Sequence, residues 1–320
     1  MKNYSSKPAK RGRTAYRTPS VKRYQLALKS MRLEIRPKKM SKILSNSWKV
    51  FGFEAGLFAL AMALGLLAGW RLNYLLKLNI IAMTPVSIWQ VFLSFILATL
   101  AFLAVIYFFR LKKARRGFFK LILWGTLVLG NLFFASLWLN NWLVLVWLVV
   151  LIYLLVKKPL VGVYNIALVL AMAGVSAGLG ARIDSWIACL MMLVFSVYDF
   201  VAVYITKHMV TMAKEMVEQQ AVVGLVIPRR KEDFTAPISE VRPDSRFLIL
   251  GGGDVVFPAL LAISCLQKGW LGAVIVAIAS LLGLLFVFLI FINRKERRPL
   301  PALPPIALLA VLGYFLTTLL

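Results

Sequence analysis

The chain has 320 residues, of which 61% are hydrophobic, and its mean hydropathy is +0.83. These values exclude an ordinary water-soluble domain of this length. The net charge of +26 does not indicate a nucleic-acid-binding domain, because 15 of the 38 Lys and Arg precede residue 50. The composition predicts an all-α polytopic membrane protein, since a helix satisfies its own backbone hydrogen bonds in lipid.

Residues 1–50 are predicted to form a basic cytoplasmic tail that is partly disordered, because its early part is rich in Ser, Thr, Pro and basic residues. Apolar side chains in residues 21–35 recur every three or four positions, which indicates a short helix lying on the membrane. We expect the tail to contact anionic lipid. Binding to RNA is the alternative, and no nucleic-acid partner is expected.

Nine apolar runs follow the tail and predict nine transmembrane helices. Helices 1–5 are assigned to residues 51–180, helix 6 to 184–206 and helices 7–9 to 247–320. A cytoplasmic connecting segment is assigned to 207–246. The runs lie at about 51–70, 86–109, 118–138, 141–156, 160–180, 184–206, 247–265, 270–292 and 301–320.

The loop charges predict which side of the membrane each terminus occupies. With a cytoplasmic N-terminus, only Arg71, Lys77, Arg182 and Lys268 of the 38 Lys and Arg fall on the outer side. Cytoplasmic loops retain Lys and Arg, and one missing helix would invert every later loop. The sequence therefore predicts a cytoplasmic N-terminus and a C-terminus outside.

Two of the twelve acidic residues, Asp199 and Asp254, lie deep in apolar runs. Each is seven residues from the predicted cytoplasmic end of its run, so both are expected about 10 Å below the surface. Adjacent antiparallel helices can bring them face to face. Glu54, near the start of the first run, is interpreted as a carboxylate that suits a helix amino terminus. Buried charges are costly, so the pair predicts a functional site that lines water.

Such a carboxyl pair suits general acid and base chemistry. Repulsion and partial desolvation keep one group protonated while the other is ionised. The ionised group can take a proton from an attacking water, and the protonated group can donate to a peptide carbonyl oxygen. This predicts an aspartic endopeptidase that cuts within the membrane. The alternative is a proton- or cation-coupled secondary transporter that uses the paired carboxylates.

Two further stretches accompany the carboxylates. Gly251, Gly252 and Gly253 leave a surface without side chains beside Asp254, although a helix-packing notch would have the same residues. The stretch "RRPLPALPPIALLA" at 297–310 carries four prolines. We expect an extended strip at the depth of the aspartates, with a proline-rich helix start as the alternative.

Three motifs carry a family resemblance: "SVYDFVAVY" (196–204), "LGGGD" (250–254) and "PALP" (301–304), in this order on runs six, seven and nine. They resemble the presenilin and signal peptide peptidase family of GxGD intramembrane aspartyl proteases. The resemblance implies a presenilin-like fold and a catalytic pair, Asp199 and Asp254. It also implies active-site support from Tyr198, Gly251, Gly253, Pro301, Ala302 and Leu303.

The same resemblance implies the setting of the protein. Short loops and extreme basicity suggest a prokaryotic, archaeal homologue in the plasma membrane. Transmembrane peptides are the expected substrates. Presenilin works with partner subunits and signal peptide peptidases act alone; we expect no obligatory partner here, and a homo-oligomer remains open.

No cofactor or metal is expected, because the runs hold no ligand cluster and the only histidine, His208, lies beyond run six. The connecting segment contains "AVVGLVIP" at 221–228. Its apolar residues predict either a short interfacial helix that continues helix 6, or a mobile gate or edge strand that pairs with an unwound substrate.

Overall fold

The computed structural model describes residues 37–80, 112–242, 246–293 and 300–319, with five single positions between 87 and 97. The chain divides into Met1–Asn46 and a compact unit, Ser47–Leu320. The predicted helix at 21–35 lies outside the described residues, and so does almost all of the second apolar run.

The described part is mostly helical. The helix Ser185–Phe200 continues without a break into one turn of π-helix, Val201–Ile205, and two short 3₁₀ turns, Lys231–Thr235 and Ile238–Glu240, lie between the two strands Gly224–Pro228 and Phe247–Gly251. The elements are α1 Pro37–Lys77, α2 Lys112–Ser136, α3 Asn141–Lys157, α4 Val161–Gly180, α5 Ser185–Phe200, α6 His208–Glu218, β1 Gly224–Pro228, β2 Phe247–Gly251, α7 Gly252–Cys265, α8 Trp270–Asn293 and α9 Leu303–Leu319.

Most of these helices suit a lipid environment. Among the described residues, five segments are long and apolar enough to cross a membrane, and α3, α7 and α9 are shorter apolar helices. The chain is therefore an integral multi-pass membrane protein. The five long segments are Ser47–Lys77, Gly117–Ser136, Val161–Gly180, Ser185–Ile205 and Trp270–Asn293.

Close helix crossings depend on small residues. A Cβ on Gly130 of α2 would lie 2.8 Å from the Cα of Ala171 in α4, and one on Gly180 would lie 2.8 Å from the carbonyl oxygen of Leu260 in α7. Such contacts let backbones approach, which is the main source of helix association in lipid. Helix α4 therefore packs tightly against both α2 and α7.

The prediction of an all-α fold is wrong for a short part of the chain, because β1 and β2 form an antiparallel two-stranded sheet. Leu225 pairs with Leu250, and Val226 pairs with Ile249. Residues 247–251, predicted as the start of a helix, are therefore extended. The pairing satisfies part of their backbone hydrogen-bonding capacity in place of helical hydrogen bonds, and α7 begins only at Gly252.

The sheet contradicts one interpretation of 221–228, the interfacial helix, whereas pairing of this segment with a substrate stays a prediction. Residues Gly224–Pro228 form a fully buried strand, and the helix of the connecting segment, α6, ends earlier at Glu218. The interfacial-helix alternative is therefore wrong for these residues. Burial against α4 and pairing with β2 stabilise the extended form of this β-branched stretch.

Candidate functional site

Asp254 lies in the first turn of α7, three residues after the end of β2. The backbone N–H of Gly251, the residue that caps this helix, donates to its carboxyl group. A Cβ on Gly251 would lie 2.9 Å from the Oδ2 atom of Asp254. The helix amino terminus also favours a carboxylate here. Glycine at position 251 therefore leaves room for the carboxyl group to fold back over it in this position.

The other two glycines have different surroundings. Gly252 is buried, and its N–H donates to the carbonyl of Val223 at 3.2 Å. A Cβ there would approach that carbonyl at 3.2 Å and the Cε of Met172 at 3.1 Å. Gly253 is exposed, and a Cβ there would meet only the Phe257 ring, at 3.4 Å. Gly252 therefore serves packing against β1, whereas Gly253 leaves an open surface beside Asp254.

Asp199 lies near the end of α5, just before the π-helical turn. Its side chain is buried, with 6% of the residue exposed. The backbone N–H of Leu303 donates to the carboxyl group, whereas the Oδ2 atom has no hydrogen-bond partner among the described residues. A buried polar atom without a partner is costly, so this oxygen is available to water or a ligand group.

The donor to Asp199 comes from the start of α9. This helix begins at Leu303, and the next two residues, Pro304 and Pro305, have no N–H. The Leu303 N–H has no partner within the helix, as for any first-turn donor. The predicted extended strip is thus shorter than expected: Leu300–Ala302 is non-helical, while both prolines lie in the first turn of α9. Proline is well accommodated there because helix starts do not need its N–H.

Two stacked aromatic rings align the helices that carry the aspartates. The rings of Phe195 and Phe257 are 4.2 Å apart between centroids, with an interplanar angle of 24°. Phe195 is one turn before Asp199 on α5, and Phe257 is one turn after Asp254 on α7. Residues one turn apart share a helix face, so both carboxyl groups lie on the facing sides of the two helices. The two groups interact electrostatically.

The structure also locates the other predicted site residues. Pro301 is buried and Ala302 is half-buried, both directly before the Leu303 N–H that contacts Asp199. Tyr198 is adjacent to Asp199 on α5, and 39% of it is exposed.

A third acidic residue, Glu54, was not predicted to belong to the site. Its carboxyl group interacts electrostatically with Asp254. The interpretation of Glu54 as a helix-terminal carboxylate is wrong, because α1 begins at Pro37 and Glu54 lies in its interior. The available signal was a third carboxylate inside an apolar run.

Together, these groups provide two carboxyls, two backbone donors and an open glycine surface, which suits acid and base catalysis on an extended peptide. In the part of the chain that the structure describes, no three His, Cys, Asp or Glu side chains come together to hold a metal. The absence of a cofactor stays a prediction.

Comparisons with known proteins agree with the motifs. The family profile described as "Signal-peptide peptidase, presenilin aspartyl protease" matches residues 117–320. A solved structure, "Structure of a presenilin family intramembrane aspartate protease in C222 space group", is 21% identical, with a TM-score of 0.57, over 85% of this chain and 99% of that chain. A second, in the P2 space group, is 21% identical, with a TM-score of 0.53, over 82% and 96%. At this identity the two structures show a shared fold. No curated protein matches the chain.

Proposed function

The chain belongs to the family of signal-peptide peptidases and presenilin aspartyl proteases, and we propose that it hydrolyses peptide bonds within transmembrane segments of membrane proteins or signal peptides. The observation that carries the proposal is the interaction of two intramembrane carboxyl groups, Asp199 and Asp254, each of which accepts a backbone N–H. Asp254 lies three residues after the end of strand β2, and an extended backbone is the conformation that a protease requires of its substrate.

The proposed mechanism uses the pair as general base and general acid. The ionised carboxyl group takes a proton from water while the water oxygen bonds to the scissile carbonyl carbon, and the protonated group donates its proton to the carbonyl oxygen. The C–N bond of the tetrahedral diol then breaks as the carboxyl group that took the proton from water gives it to the amine nitrogen. One diol hydroxyl returns a proton to the other carboxyl group, so a carboxylic acid and an amine leave and the pair regains its single proton. Gly251 and Leu303 position the two carboxyl groups, and Pro301 and Ala302 position Leu303.

The sheet offers a place for an unwound substrate. The N–H of Gly252 donates to the carbonyl of Val223, and the N–H of Arg229 donates to the carbonyl of Arg246. Between these two hydrogen-bonded pairs, pairs without hydrogen bonds alternate with hydrogen-bonded pairs along the two strands. By that alternation, the N–H and C=O of Ile249 point away from β1. An extended substrate can add as a further strand along this edge of β2, and the strand leads directly to Asp254. Tyr198 and Gly253 are exposed beside the two carboxyl groups, and both positions suit contact with the extended substrate.

Helix directions support nine spans. The Nε of Arg71, near the end of α1, donates to the carbonyl of Leu137, just beyond α2, at 3.3 Å. The two helices therefore end on the same side, which agrees with the prediction of one further span between them. The apolar run at 86–109 has the length that such a span requires. With the loop charges, this supports a cytoplasmic N-terminus, an outer C-terminus and a prokaryotic plasma membrane location.

The proposal extends to partners. The basic tail would contact anionic lipid, and the protease would act without an obligatory partner subunit or a cofactor. The assigned regions are the tail at 1–50, five helices within 51–180, helix six at 184–206, the connecting segment at 207–246 and three helices within 247–320.

A coupled transporter, which the paired carboxylates alone left open, is not favoured, because the family match is to proteases.

The test is direct. Detergent-purified protein is incubated with a model transmembrane peptide, and the products are identified by mass. We expect cleavage inside the apolar segment by the wild type and none by Asp199→Asn or Asp254→Asn. Proton-linked uptake into liposomes without any cleavage would instead establish the transporter.

A further inference from the structure

The edge of β1 that faces away from β2 is bound by two consecutive residues of α4. The Nδ2 of Asn165 donates to the carbonyl of Val226 at 2.7 Å, and the N–H of Val226 donates to the Oδ1 of Asn165 at 2.8 Å. The hydroxyl of Tyr164 donates to the carbonyl of Val222. Asn165 is 1% exposed, so both of its hydrogen bonds are shielded from water.

The amide of Asn165 thereby takes the place of a neighbouring strand residue, because it offers one donor and one acceptor to one residue of β1. The next outward-facing position, Pro228, has no N–H to offer. An incoming strand would have to displace buried hydrogen bonds to pair here. The β1 edge is closed, and pairing is directed to the edge of β2.

The same helix also contacts the segment that carries Asp254. Met172 of α4 lies against Gly252, and the Oγ of Ser176, whose hydroxyl donates to the carbonyl of Met172 at 2.7 Å, lies 3.4 Å from the carbonyl oxygen of Val256. Helix α4 therefore contacts the β1 side of the sheet through Tyr164 and Asn165, and the start of α7 through Met172 and Ser176. The position of the β2 edge relative to the carboxyl group of Asp254 depends on these contacts.

We propose that Asn165 is a positioning residue that determines where the substrate is cut, by closing the β1 edge and holding the sheet in one position relative to Asp254. The inference rests on the proposed function, because it concerns the register of a substrate strand on β2. Asn165 does not contact the reacting atoms. Its loss is therefore expected to change the cleavage position as well as the rate.

The test compares two buried asparagines. Asn165→Leu keeps the approximate volume and removes both hydrogen bonds. Asn131→Leu is the matched control: Asn131 of α2 is 0% exposed and donates to the carbonyls of Leu127 and Ala167 at 2.8 and 2.9 Å, away from the sheet. The products of a model transmembrane peptide are identified by mass, kcat and KM are measured, and helical content and thermal unfolding are recorded.

We expect Asn165→Leu to yield new products cut two residues from the wild-type position, because a slip of two residues keeps the same side chains on each face. The expected loss in kcat/KM is about tenfold. Asn131→Leu should lower thermal stability and keep the wild-type product pattern. A folded Asn165→Leu with unchanged products would overturn the inference while leaving the protease function in place.

A second measurement needs no variant at position 165, in case the leucine protein does not fold. A peptide with a photoreactive benzoylphenylalanine beside the scissile bond is cross-linked to Asp254→Asn protein, which does not cut it. Cross-links to 246–251 are expected. Cross-links to 222–228 would show an open β1 edge and overturn the inference. Failure of the wild type to cut any transmembrane peptide would instead overturn the proposed function on which it rests.

Discussion

The two aspartates lie in opposite parts of their helices. Asp254 is in the first turn of α7, where the helix dipole favours a carboxylate, and its backbone donor, Gly251, is three residues earlier in the chain. Asp199 is in the second half of the continuous helical segment Ser185–Ile205, more than one turn before its end, where the helix dipole contributes little. Its donor is Leu303, in a helix that lies far along the chain. Asp254 and Gly251 thus form a local half of the site, built from one short stretch of chain. Asp199 and Leu303 form a distant half, which depends on the packing of α9.

The largest expected effect comes from the carboxyl groups themselves, which should be equally necessary despite their different surroundings. Asp199→Asn and Asp254→Asn should each lower kcat by on the order of 10²–10⁴-fold, because neither a base nor an acid can act alone. The double variant should be no slower than either single variant, since groups that act as a unit are not additive. Turnover with transmembrane peptide, measured by product mass, checks this.

The matched control for these variants is Asp184→Asn. Asp184 caps the other end of α5 and accepts the N–H of Trp186 at 2.9 Å. Asparagine caps helices about as well as aspartate, so activity should be retained. A catalytic pair would be refuted by near wild-type turnover in either Asp199→Asn or Asp254→Asn.

The local half of the site can be broken by one methyl group. Gly251→Ala places a Cβ 2.9 Å from the Oδ2 of Asp254, so the carboxyl group has to move. A displacement of about 1 Å can cost on the order of 100-fold in rate. Gly253→Ala adds the same methyl group where only the Phe257 ring is near. We expect a loss of kcat in the first variant and mainly a raised KM in the second.

An equal fall of kcat in both glycine variants would show that the contact with Asp254 is not what requires glycine at position 251. Thermal unfolding of both proteins separates this from a general loss of stability, since both residues lie in the same turn.

The distant half of the site can be tested through one backbone donor. Leu303→Pro removes the N–H that Asp199 accepts, and proline is well tolerated at this first helical position. Leu303→Ala truncates the same buried side chain and keeps the N–H. A hydrogen bond to a charged group contributes about 1.5–3 kcal/mol, so the proline variant should be at least tenfold slower than the alanine variant. Equal rates would assign the role of Leu303 to packing alone.

The residues of the candidate site can be predicted from the sequence more fully than the fold around them. Asp199, Asp254 and the residues before Leu303 are recognisable because a carboxylate or a run of prolines is unusual in an apolar segment. The strand at 247–251 was missed because a short apolar run beside glycines has no distinctive periodicity, and its conformation depends on pairing with β1. The roles of Asn165 and of the Leu303 N–H depend on tertiary contacts that no local pattern encodes.

The smallest expected effect concerns the third carboxylate, which lies beside the local half of the site. Glu54 interacts electrostatically with Asp254 but is not joined to it by a hydrogen bond among the described residues. Glutamine keeps the approximate size of this side chain and removes its carboxyl group, and electrostatic interactions act over several ångströms in a region of low dielectric. Glu54→Gln should therefore lower kcat by about two- to tenfold without changing the products. This is the low end of the range of about 0.5–3 kcal/mol for coupled neighbours, as expected for two groups without a hydrogen bond between them. The matched control is Glu218→Gln at the exposed end of α6, which should leave kcat unchanged. If both glutamine variants turn over at the wild-type rate, Glu54 has no influence on the pair, and the local half of the site consists of Asp254 and its glycines alone.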